Sequence, residues 1–522
     1  MKAILQKYQW ILVLLVAVVG GGLCMDLGHE WGDDFALYLD QARCWVNGGM
    51  VDLYATNKVC MDESDGLVGP YLYPQGFPLF LSFFIRLFSL IGIQGLWMIM
   101  ALKWANYIVF LLVLVVYLRL LNVLFEGRWG HIFLAFVLIA WHPKFWEAAD
   151  RITSDLWFTG LVILFFYALL VPFKGWFSRA LTLSLLVLVA TATRSNGVFL
   201  LAAWVVFEWL AWRKEGLKDV RVVSIVMGTT AALFALYADA GNGSNHWQLL
   251  KDIEFKTIWT NLGTYITMAG SAPFWHVANA LKLFAQPLLW LGVLLVWVLV
   301  FIGAVKGGRM SWVMVVFVGL NFVLYVVWPS VQGMRFLFPL LPFIMVFLVR
   351  GLAHAWQVVI LPQFDKVKFL PQRIKSAQFW VIAGAGFMLL QGAMTSVFYL
   401  GLDTNLAYSK EMMGVYGFVE QQVQTAKRVS FHKPRLMRYA TGVEAFKTAT
   451  NFGVASPSDE AENQMTLEQA MHKLKSNRID YWILSKSQLV RTALPALPVA
   501  YENEGYVVYD VSQPLPLNTK SR

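Results

Sequence analysis

The sequence has little charge and no repeated or low-complexity segment. Charged residues make up 14% of the 522 residues, whereas hydrophobic residues make up 58% and the mean hydropathy is +0.57. A soluble core of this length does not need so much apolar surface, so the composition excludes an ordinary soluble protein and indicates a membrane protein. Because no repeat marks an internal boundary, the organisation has to be read from the apolar runs and the loops between them.

Cysteine is also scarce, since only Cys24, Cys44 and Cys60 are present. Cys44 and Cys60 share one loop and lie 16 positions apart. In an oxidising periplasm they can form a disulfide worth roughly 3 kcal/mol. Two free thiols beside a membrane are the alternative, and the sequence does not decide between them.

Apolar runs of roughly 17 to 25 residues, each able to cross a hydrocarbon layer, recur along the chain. The first run, 9–25, follows Lys2 and Lys7, which predicts a cytoplasmic N-terminus. This run resembles a signal peptide but has no convincing small-residue cleavage site, so we interpret it as an anchor. The other predicted spans are 97–121, 131–147, 155–172, 180–193, 197–212, 222–240, 286–305, 312–329, 335–350 and 378–400.

The net charge of +10 does not indicate a nucleic-acid partner, because the basic residues lie in short loops between apolar runs. Alternate loops carry them, which predicts that these loops are cytoplasmic and that the intervening loops face outward. The run 77–93 contains Pro78 and Arg86, and counting it as a span would turn the later basic loops outward. We therefore predict a helix in the outer membrane interface there, which leaves about eleven spans. The basic loop residues are Arg119, Arg128, Lys174, Arg179, Arg213, Lys214, Lys218, Arg221, Lys306, Arg309, Lys366, Lys368, Arg373 and Lys375.

Three outward segments are large enough to carry function. The first loop, 26–96, contains an acid pair, and the loop 241–285 contains His276 and Lys282. The tail, 401–522, is more charged and predicts a small α/β domain, so we divide the chain into a membrane module (1–400) and a C-terminal domain (401–522). In that domain we expect strands at 428–431, 481–484 and 506–511 and a helix at 467–477.

Asp33 and Asp34, the acid pair, follow directly after the first apolar run. A helix over 33–47 would place Asp34, Tyr38, Gln41 and Trp45 on one stripe. A carboxylate beside a second acid and low-dielectric surroundings would have a raised proton affinity, which suits a general base. The alternative is local: Asp33 as a helix N-cap and Asp34 in a favourable first turn.

Further polar motifs recur on the predicted outward side at one membrane depth. They are Tyr71 to Pro78, Arg151 to Asp155, Arg194 to Gly197 and Gln332 to Pro342. Each also has a local explanation, because an arginine can snorkel to the interface and Asp155 or Arg194 can satisfy a helix end. Their shared depth nevertheless favours one common site.

The order of these motifs resembles the GT-C superfamily of integral membrane glycosyltransferases, including bacterial dolichyl-phosphate-mannose–protein mannosyltransferase-like and aminoarabinose-transferase-like members. The resemblance spans nearly the whole chain, although each motif is short. It is carried by the early acid with Tyr38, by Gly48, Gly49, Asp52, Leu53 and Tyr54, by Tyr73-Pro74, by Ser154-Asp155, by Arg335-Phe-Leu-Phe-Pro-Leu-Leu-Pro, and in the tail by 429–435 and 480–484.

The resemblance implies roles for these residues. An acid of the first loop would be the catalytic base: the spacing to Tyr38 favours Asp34, and Asp33 is the alternative. Asp155 would orient substrate or hold a divalent cation, Mg²⁺ or Mn²⁺, although no tight ligand cluster is evident. Arg335 would bind the lipid phosphate. Further phosphate candidates are Lys282, Arg194 and His276, and further orienting candidates are Tyr38, Arg151 and Tyr73.

The implied protein is a monomeric, α-helical, multi-pass enzyme of the bacterial inner membrane with a periplasmic C-terminal domain. It would move a sugar from a polyprenyl phosphate to an acceptor hydroxyl with inversion, without an organic cofactor. An O-antigen-type polymerase or ligase is an alternative, but it would favour an arginine-rich outer loop. A lipid-linked glycan transporter or flippase would instead place its charges near the bilayer midplane. The sequence specifies neither the sugar nor the acceptor, which can be lipid A, a surface glycan, another glycolipid or a protein.

Overall fold

The computed structural model describes most of the chain between residues 25 and 512. The described residues are 25, 27–30, 33–65, 69–215, 219–241, 254–366, 406–422, 428–448, 467–486 and 497–512, with single positions between 384 and 393. The predicted spans 9–25 and 378–400 therefore lie almost wholly outside the described residues, as does the boundary proposed at residue 400.

The described part of the first loop contains three helices. They are α1 (Asp33–Asn47), α2 (Met50–Glu63) and α3 (Gly76–Leu90). Helix α3 corresponds to the predicted interfacial helix 77–93. Its Phe77, Leu81 and Ile85 are buried, whereas Phe83 and Leu90 are exposed. An apolar helix with one buried and one exposed apolar face has the form expected of a helix lying in a membrane surface.

Thirteen further helices among the described residues follow up to residue 366. They are α4 (Leu96–Leu124), α5 (Trp129–Ala140), α6 (Pro143–Ala149), α7 (Ser154–Leu170), α8 (Trp176–Thr193), α9 (Phe199–Glu215), α10 (Asp219–Gly241), α11 (Phe255–Ser271), α12 (Trp275–Phe284), α13 (Gln286–Lys306), α14 (Gly308–Val326), α15 (Leu341–Ala355) and α16 (Leu361–Lys366). Seven helical segments of this part are long and apolar enough to cross a membrane, and α7 is a shorter apolar helix. The chain is thus a multi-pass membrane protein, and eleven spans stay a prediction.

Two predicted spans differ most from the structure, and in each a proline lies in the first turn of the helix that the structure has there. The predicted span 131–147 is broken into α5 and α6, which bend by 55° at Trp141 and His142. Pro143 opens α6, because its missing N–H fits the first turn of a helix and cannot continue the preceding one. The predicted span 335–350 starts only at Leu341, after a 3₁₀ turn at Gly333–Leu337.

Helices α13 and α15 cross at unusually close range. A Cβ atom on Gly303 would overlap the backbone carbonyl of Phe347, and one on Gly351 would overlap that of Leu299. Small residues are needed where two helix backbones approach this closely in a membrane protein. This crossing anchors α15, whose N-terminal end follows the turn that carries Arg335.

The described residues of the C-terminal domain form a five-stranded sheet with three α-helices. Its elements are α17 (Lys410–Gln422), β1 (Val429–Ser430), α18 (Pro434–Thr441), β2 (Ala445–Phe446), α19 (Leu467–Ser476), β3 (Tyr481–Ser485), β4 (Val499–Glu502) and β5 (Tyr506–Asp510). The strand order is β2-β1-β3-β5-β4, with β1 parallel to β2 and β3, and β5 antiparallel to β3 and β4. Trp482 and Val508 are fully buried in the sheet. The three predicted strands and the predicted helix are confirmed.

The C-terminal domain docks on the end of the first loop through charged and backbone contacts. Arg428 pairs with Glu63 at 2.7 Å, and Lys473 pairs with Asp65. The Asp65 amide donates to the Lys447 carbonyl at 2.8 Å. These contacts fix the chain just before the segment 69–75, which reaches the candidate site.

Candidate active site

Asp34 lies in the first turn of α1, and two long-range partners hold its carboxylate. The Tyr73 hydroxyl donates to Oδ1 at 2.6 Å, and Arg335 Nη1 donates to Oδ2 at 2.6 Å. The second guanidinium nitrogen of Arg335 donates to Gln332 Oε1, also at 2.6 Å. Hydrogen bonds to an ionised carboxylate are stronger than neutral ones, so Asp34 is held in a defined position.

The stripe that the sequence predicted on α1 is the surface that holds segment 69–75. The Tyr38 ring packs on the Tyr73 ring with a centroid distance of 4.4 Å. The Gln41 amide brackets the Tyr73 backbone, donating to its carbonyl and accepting from its N–H at 2.9 Å each. Trp45 donates to the Gln75 side chain at 3.0 Å. The spacing of four side chains therefore positions the tyrosine that binds the carboxylate.

Arg335 reaches Asp34 because the chain is not helical at that point. Gly333 has a positive φ of 69°, a conformation that suits glycine, and starts the short 3₁₀ turn. Helix α11 supports the preceding loop: the Tyr265 hydroxyl accepts from the Gln332 N–H at 3.0 Å, and the Asn261 amide donates to the Trp328 carbonyl at 2.6 Å. This support fixes the entry to the turn and so the direction of the arginine.

A second ion pair lies beside the first. Arg194 pairs with Asp155, which is only 4% exposed. The carbon at the centre of each guanidinium lies near the Phe336 ring, at 5.0 Å for Arg194 and 5.9 Å for Arg335. The structure therefore brings four sequence-predicted residues together, with both arginines near one aromatic ring.

Tyr38 joins the two ion pairs. Its hydroxyl is 3.0 Å from Ser154 Oγ, next to Asp155 in the first turn of α7. Its ring contacts Tyr73, which binds Asp34. A polar group of α7 and the carboxylate of α1 are thus held in one connected arrangement, so a change at one is felt at the other.

The electrostatics at Asp34 differ from the sequence-based expectation. Burial by itself raises the pKa of Asp34, as expected, but Arg335 and the hydrogen bond from Tyr73 outweigh it and hold the pKa well below its ordinary value. Burial also raises the pKa of Tyr73, so its hydroxyl stays protonated and remains a donor. The expectation of a raised proton affinity at Asp34 is therefore wrong for this state, because a partner 301 positions away dominates.

Arg435 is a site neighbour that the sequence reasoning did not single out. It is fully buried on α18 and donates to the Pro70 carbonyl. Its guanidinium lies 5.9 Å from the centroid of the Tyr73 ring, and its charge also lowers the pKa of Asp34. The available signal was the motif 429–435, which ends at this arginine and to which no role was assigned.

The remaining predicted site residues lie elsewhere or outside the description. Arg151 pairs with two acids, Glu30 and Glu147. Lys282 is exposed on α12, and within the described residues no hydrogen bond or ion pair connects it to Asp34. The side chains of Asp33 and His276 are outside the described part of the chain, so their roles stay predictions.

Cys44 and Cys60 of the first loop are not joined by a disulfide. Cys60 is buried and donates to the Ala445 carbonyl at 2.9 Å, and Cys44 is partly exposed on α1. The structure thus has the free-thiol alternative rather than the disulfide.

The donor set around Asp155 does not fit a divalent cation. Mg²⁺ and Mn²⁺ prefer several oxygen ligands, but Asp155 is paired with an arginine. In the part of the chain that the structure describes, no three His, Cys, Asp or Glu side chains are grouped as a metal site would require. Among the described residues, the positive charge near Asp34 and Asp155 comes from Arg194, Arg335 and Arg435.

Comparison with solved structures identifies the fold. ArnT from Cupriavidus metallidurans, in a structure bound to undecaprenyl phosphate, matches with a TM-score of 0.55 at 14% identity, over 97% of this chain and 100% of that chain. An oligosaccharyltransferase from Archaeoglobus fulgidus, tethered to an acceptor peptide, matches with a TM-score of 0.52 at 10% identity, over 92% of this chain and 69% of that chain. The chain therefore shares the fold of these proteins, which is the fold that the resemblance to the GT-C superfamily implied. No family model and no curated protein sequence matches it.

These matches confirm the fold class that the motif order predicted. At 10–14% identity they establish the fold alone. The reaction therefore has to be argued from the side chains around Asp34.

Proposed function

We propose that the protein is an inverting glycosyltransferase that moves a sugar from a polyprenyl phosphate to an acceptor hydroxyl on the periplasmic face of the inner membrane. One observation carries the proposal: in a GT-C fold, a half-buried carboxylate, Asp34, is paired with an arginine that can also bind phosphate. Support for the donor class comes from ArnT and the archaeal oligosaccharyltransferase AglB, whose structures hold undecaprenyl phosphate and dolichol phosphate, respectively.

The pairing of Asp34 with Arg335 suggests how the base is activated. A donor phosphate that binds Arg335 would compete with Asp34 for the guanidinium. Once Arg335 also binds the phosphate, it stabilises the Asp34 carboxylate less. The effect of burial, which raises the pKa of Asp34, is then less offset, so this pKa rises. The carboxylate thus becomes a better base when the donor is present, and Tyr73 keeps it oriented.

The transfer then proceeds by direct displacement. The acceptor oxygen attacks the anomeric carbon on the face opposite the phosphate, and Asp34 takes the hydroxyl proton. The bond between the anomeric carbon and the phosphate oxygen breaks, and polyprenyl phosphate leaves. Arg335 and Arg194 stabilise the charge that develops on the leaving group.

Release of polyprenyl phosphate by the purified full-length protein, given a panel of polyprenyl-phosphate sugars, tests this function. Asp34→Asn should lower the turnover by about 10²- to 10⁴-fold, the range typical of a general base. Asp33→Asn should have a much smaller effect, and Asp62→Asn, whose carboxylate accepts from the exposed Tyr71, is the matched control.

Three results would contradict the proposal. Full turnover in both Asp34→Asn and Asp33→Asn would exclude an acid-pair base. Translocation of the lipid-linked sugar without release of polyprenyl phosphate would instead identify a flippase. A labelling result that places residue 34 on the cytoplasmic face would contradict the periplasmic assignment.

A further inference from the structure

A cavity of about 340 Å³ lies between the C-terminal end of α1 and helix α18 of the C-terminal domain. This volume is near the lower end of ligand pockets, roughly 300–1,000 Å³. It is about ten times the share of liquid volume of one water, roughly 30 Å³. The cavity can therefore hold a small organic ligand rather than only a solvent molecule.

The cavity is separate from the candidate active site. Asp40, Arg43, Cys44 and Asn47 line it, and they recur at the spacing of one helical face. That face differs from the face that carries Asp34. From residue 34 to residue 43 the helix rises by about 14 Å, at 1.5 Å per residue. A ligand in the cavity would thus lie within the span of an oligosaccharide from the carboxylate.

Two arginines give the cavity a net positive lining. The central carbon of the Arg43 guanidinium lies over the Tyr439 ring, 4.2 Å from its centroid, and no atom among the described residues accepts a hydrogen bond from this guanidinium. Arg438 Nη2 donates a hydrogen bond to Asp40 Oδ2 at 3.1 Å. The buried Nη1 of Arg438 has no acceptor in the described part of the chain. The lining holds one carboxylate and two guanidiniums, so an oxyanion would find a net positive charge there, and the exposed Arg43 offers it unused donors.

The turn between α1 and α2 leaves this cavity open. Gly48 and Gly49 have φ values of 85° and 93°, and Gly48 and Leu53 line the cavity. A side chain at either glycine would be strained by the backbone, although open space surrounds both. The sequence analysis singled out a motif formed by Gly48, Gly49, Asp52, Leu53 and Tyr54. No residue of this motif is part of the Asp34 site.

From this geometry we infer that the cavity binds an anionic saccharide, recognised through a phosphate or carboxylate group by Arg43 and Arg438. Asn47 and the surrounding polar backbone suit the sugar hydroxyls, and the volume exceeds what a bare oxyanion fills. If the proposed function holds, on which this role rests, the ligand is part of the acceptor. The cavity would then hold an acidic unit of the acceptor while its reacting hydroxyl reaches Asp34.

Cys44 provides a reporter for this site without any mutation. It lines the cavity and is partly exposed, whereas Cys60 is buried. The rate at which N-ethylmaleimide alkylates Cys44 can be followed by peptide mass spectrometry on the full-length protein, with no donor present. Glucose 1-phosphate at about ten times its dissociation constant should slow the alkylation about tenfold, because only the unoccupied fraction reacts. Glucose should not protect, and inorganic phosphate should protect more weakly.

The variants distinguish binding from general damage. Arg43→Gln should abolish the protection while leaving the unliganded alkylation rate unchanged, and Arg43→Lys should retain part of it. Arg128→Gln, which changes an arginine paired with Glu126 far from the cavity in sequence, should behave as the wild type. If Arg43→Gln disturbs the fold, the buried Cys60 becomes reactive. In that case the protection measured in Arg43→Lys tests whether the cavity binds the ligand.

Equal protection by glucose and glucose 1-phosphate would overturn the inference, as would protection that persists in Arg43→Gln and Arg43→Lys. Equal protection by inorganic phosphate would overturn its saccharide part. Because the labelling contains no donor, protection without sugar transfer would leave the cavity assigned and contradict only the glycosyltransferase proposal.

Discussion

His432 makes the C-terminal domain sensitive to acid. It lies between β1 and α18, and burial, together with Lys433 and Lys447, lowers its pKa to about 3 from the ordinary value of 6.5. The folded domain therefore keeps this imidazole neutral, whereas the unfolded chain protonates it below about pH 6.5. The full stability is present above that pH and is lost as the pH falls toward 3.

The size of the effect follows from the two pKa values. At about pH 5, protonation of His432 lowers the free energy of the unfolded state by roughly RT ln(1 + 10^1.5), or about 2 kcal/mol. The folded state gains no such stabilisation, because it binds almost no proton at that pH. This corresponds to about a thirtyfold larger opening constant than at pH 8. The loss reaches about 5 kcal/mol once the pH is below the folded pKa.

Hydrogen exchange of the β1 and β3 amides measures this directly. His432→Gln removes the titration, so the ratio of wild-type to variant exchange at each pH cancels the intrinsic pH dependence of the chemistry. The ratio should rise about thirtyfold between pH 8 and pH 5. His472→Gln, at an exposed position of α19, is the matched control and should leave the ratio to wild type constant.

The reasoning is refuted if wild type and His432→Gln lose protection in parallel between pH 8 and pH 5. A lower stability of His432→Gln at all pH values does not matter, because the prediction concerns the pH-dependent difference. Loosening at low pH should also reduce sugar transfer, since α18 carries the arginine that packs on Tyr73.

Three further predictions concern the site and the bundle. Arg335→Gln should lower kcat/KM by about 10²- to 10³-fold, because a charge-stabilising donor is lost. It should also raise the pKa of Asp34, so that the activity falls on acidification within a measurable pH range. The control Arg128→Gln should leave the pH profile unchanged. Gly303→Ala should lower the Tm in detergent, because its Cβ would clash with the Phe347 carbonyl at a cost of about 1–3 kcal/mol. Gly319→Ala, which has open space around its Cβ, should raise the Tm. Equal shifts of the Tm in the two variants would contradict the close crossing. Addition of EDTA should not change the turnover, since arginines supply the positive charge; a loss restored by Mg²⁺ or Mn²⁺ would show a metal site that the described donors do not form.

Local patterns in the sequence predicted the parts of the site that depend on one element. The spacing of Tyr38, Gln41 and Trp45 was sufficient to place them on one face of α1, because helical geometry alone determines it. The broken span at 141–142 was also readable in principle, since Pro143 ends a helix by a local rule. The same rule explains why the helix after Arg335 begins late.

The electrostatics of the site could not be predicted in this way. The low pKa of Asp34 depends on Arg335 and on Arg435 of the C-terminal domain, both several hundred positions away. Burial and the neighbouring acid, which the sequence does show, predict a shift of the opposite sign. A pKa is set by charges close in space, so it can be read only after the fold has brought them together.

The attachment of the C-terminal domain to residues 63–65 has a consequence for engineering. Because Glu63 and Asp65 bind that domain and Arg435 donates to the Pro70 carbonyl, the segment that carries Tyr73 is positioned by the domain as well as by α1. A chimera that exchanges residues 406–512 with those of a related protein should therefore also exchange residues 61–75. Without this segment, the new domain would be connected to the membrane part but would no longer set the hydroxyl beside the carboxylate.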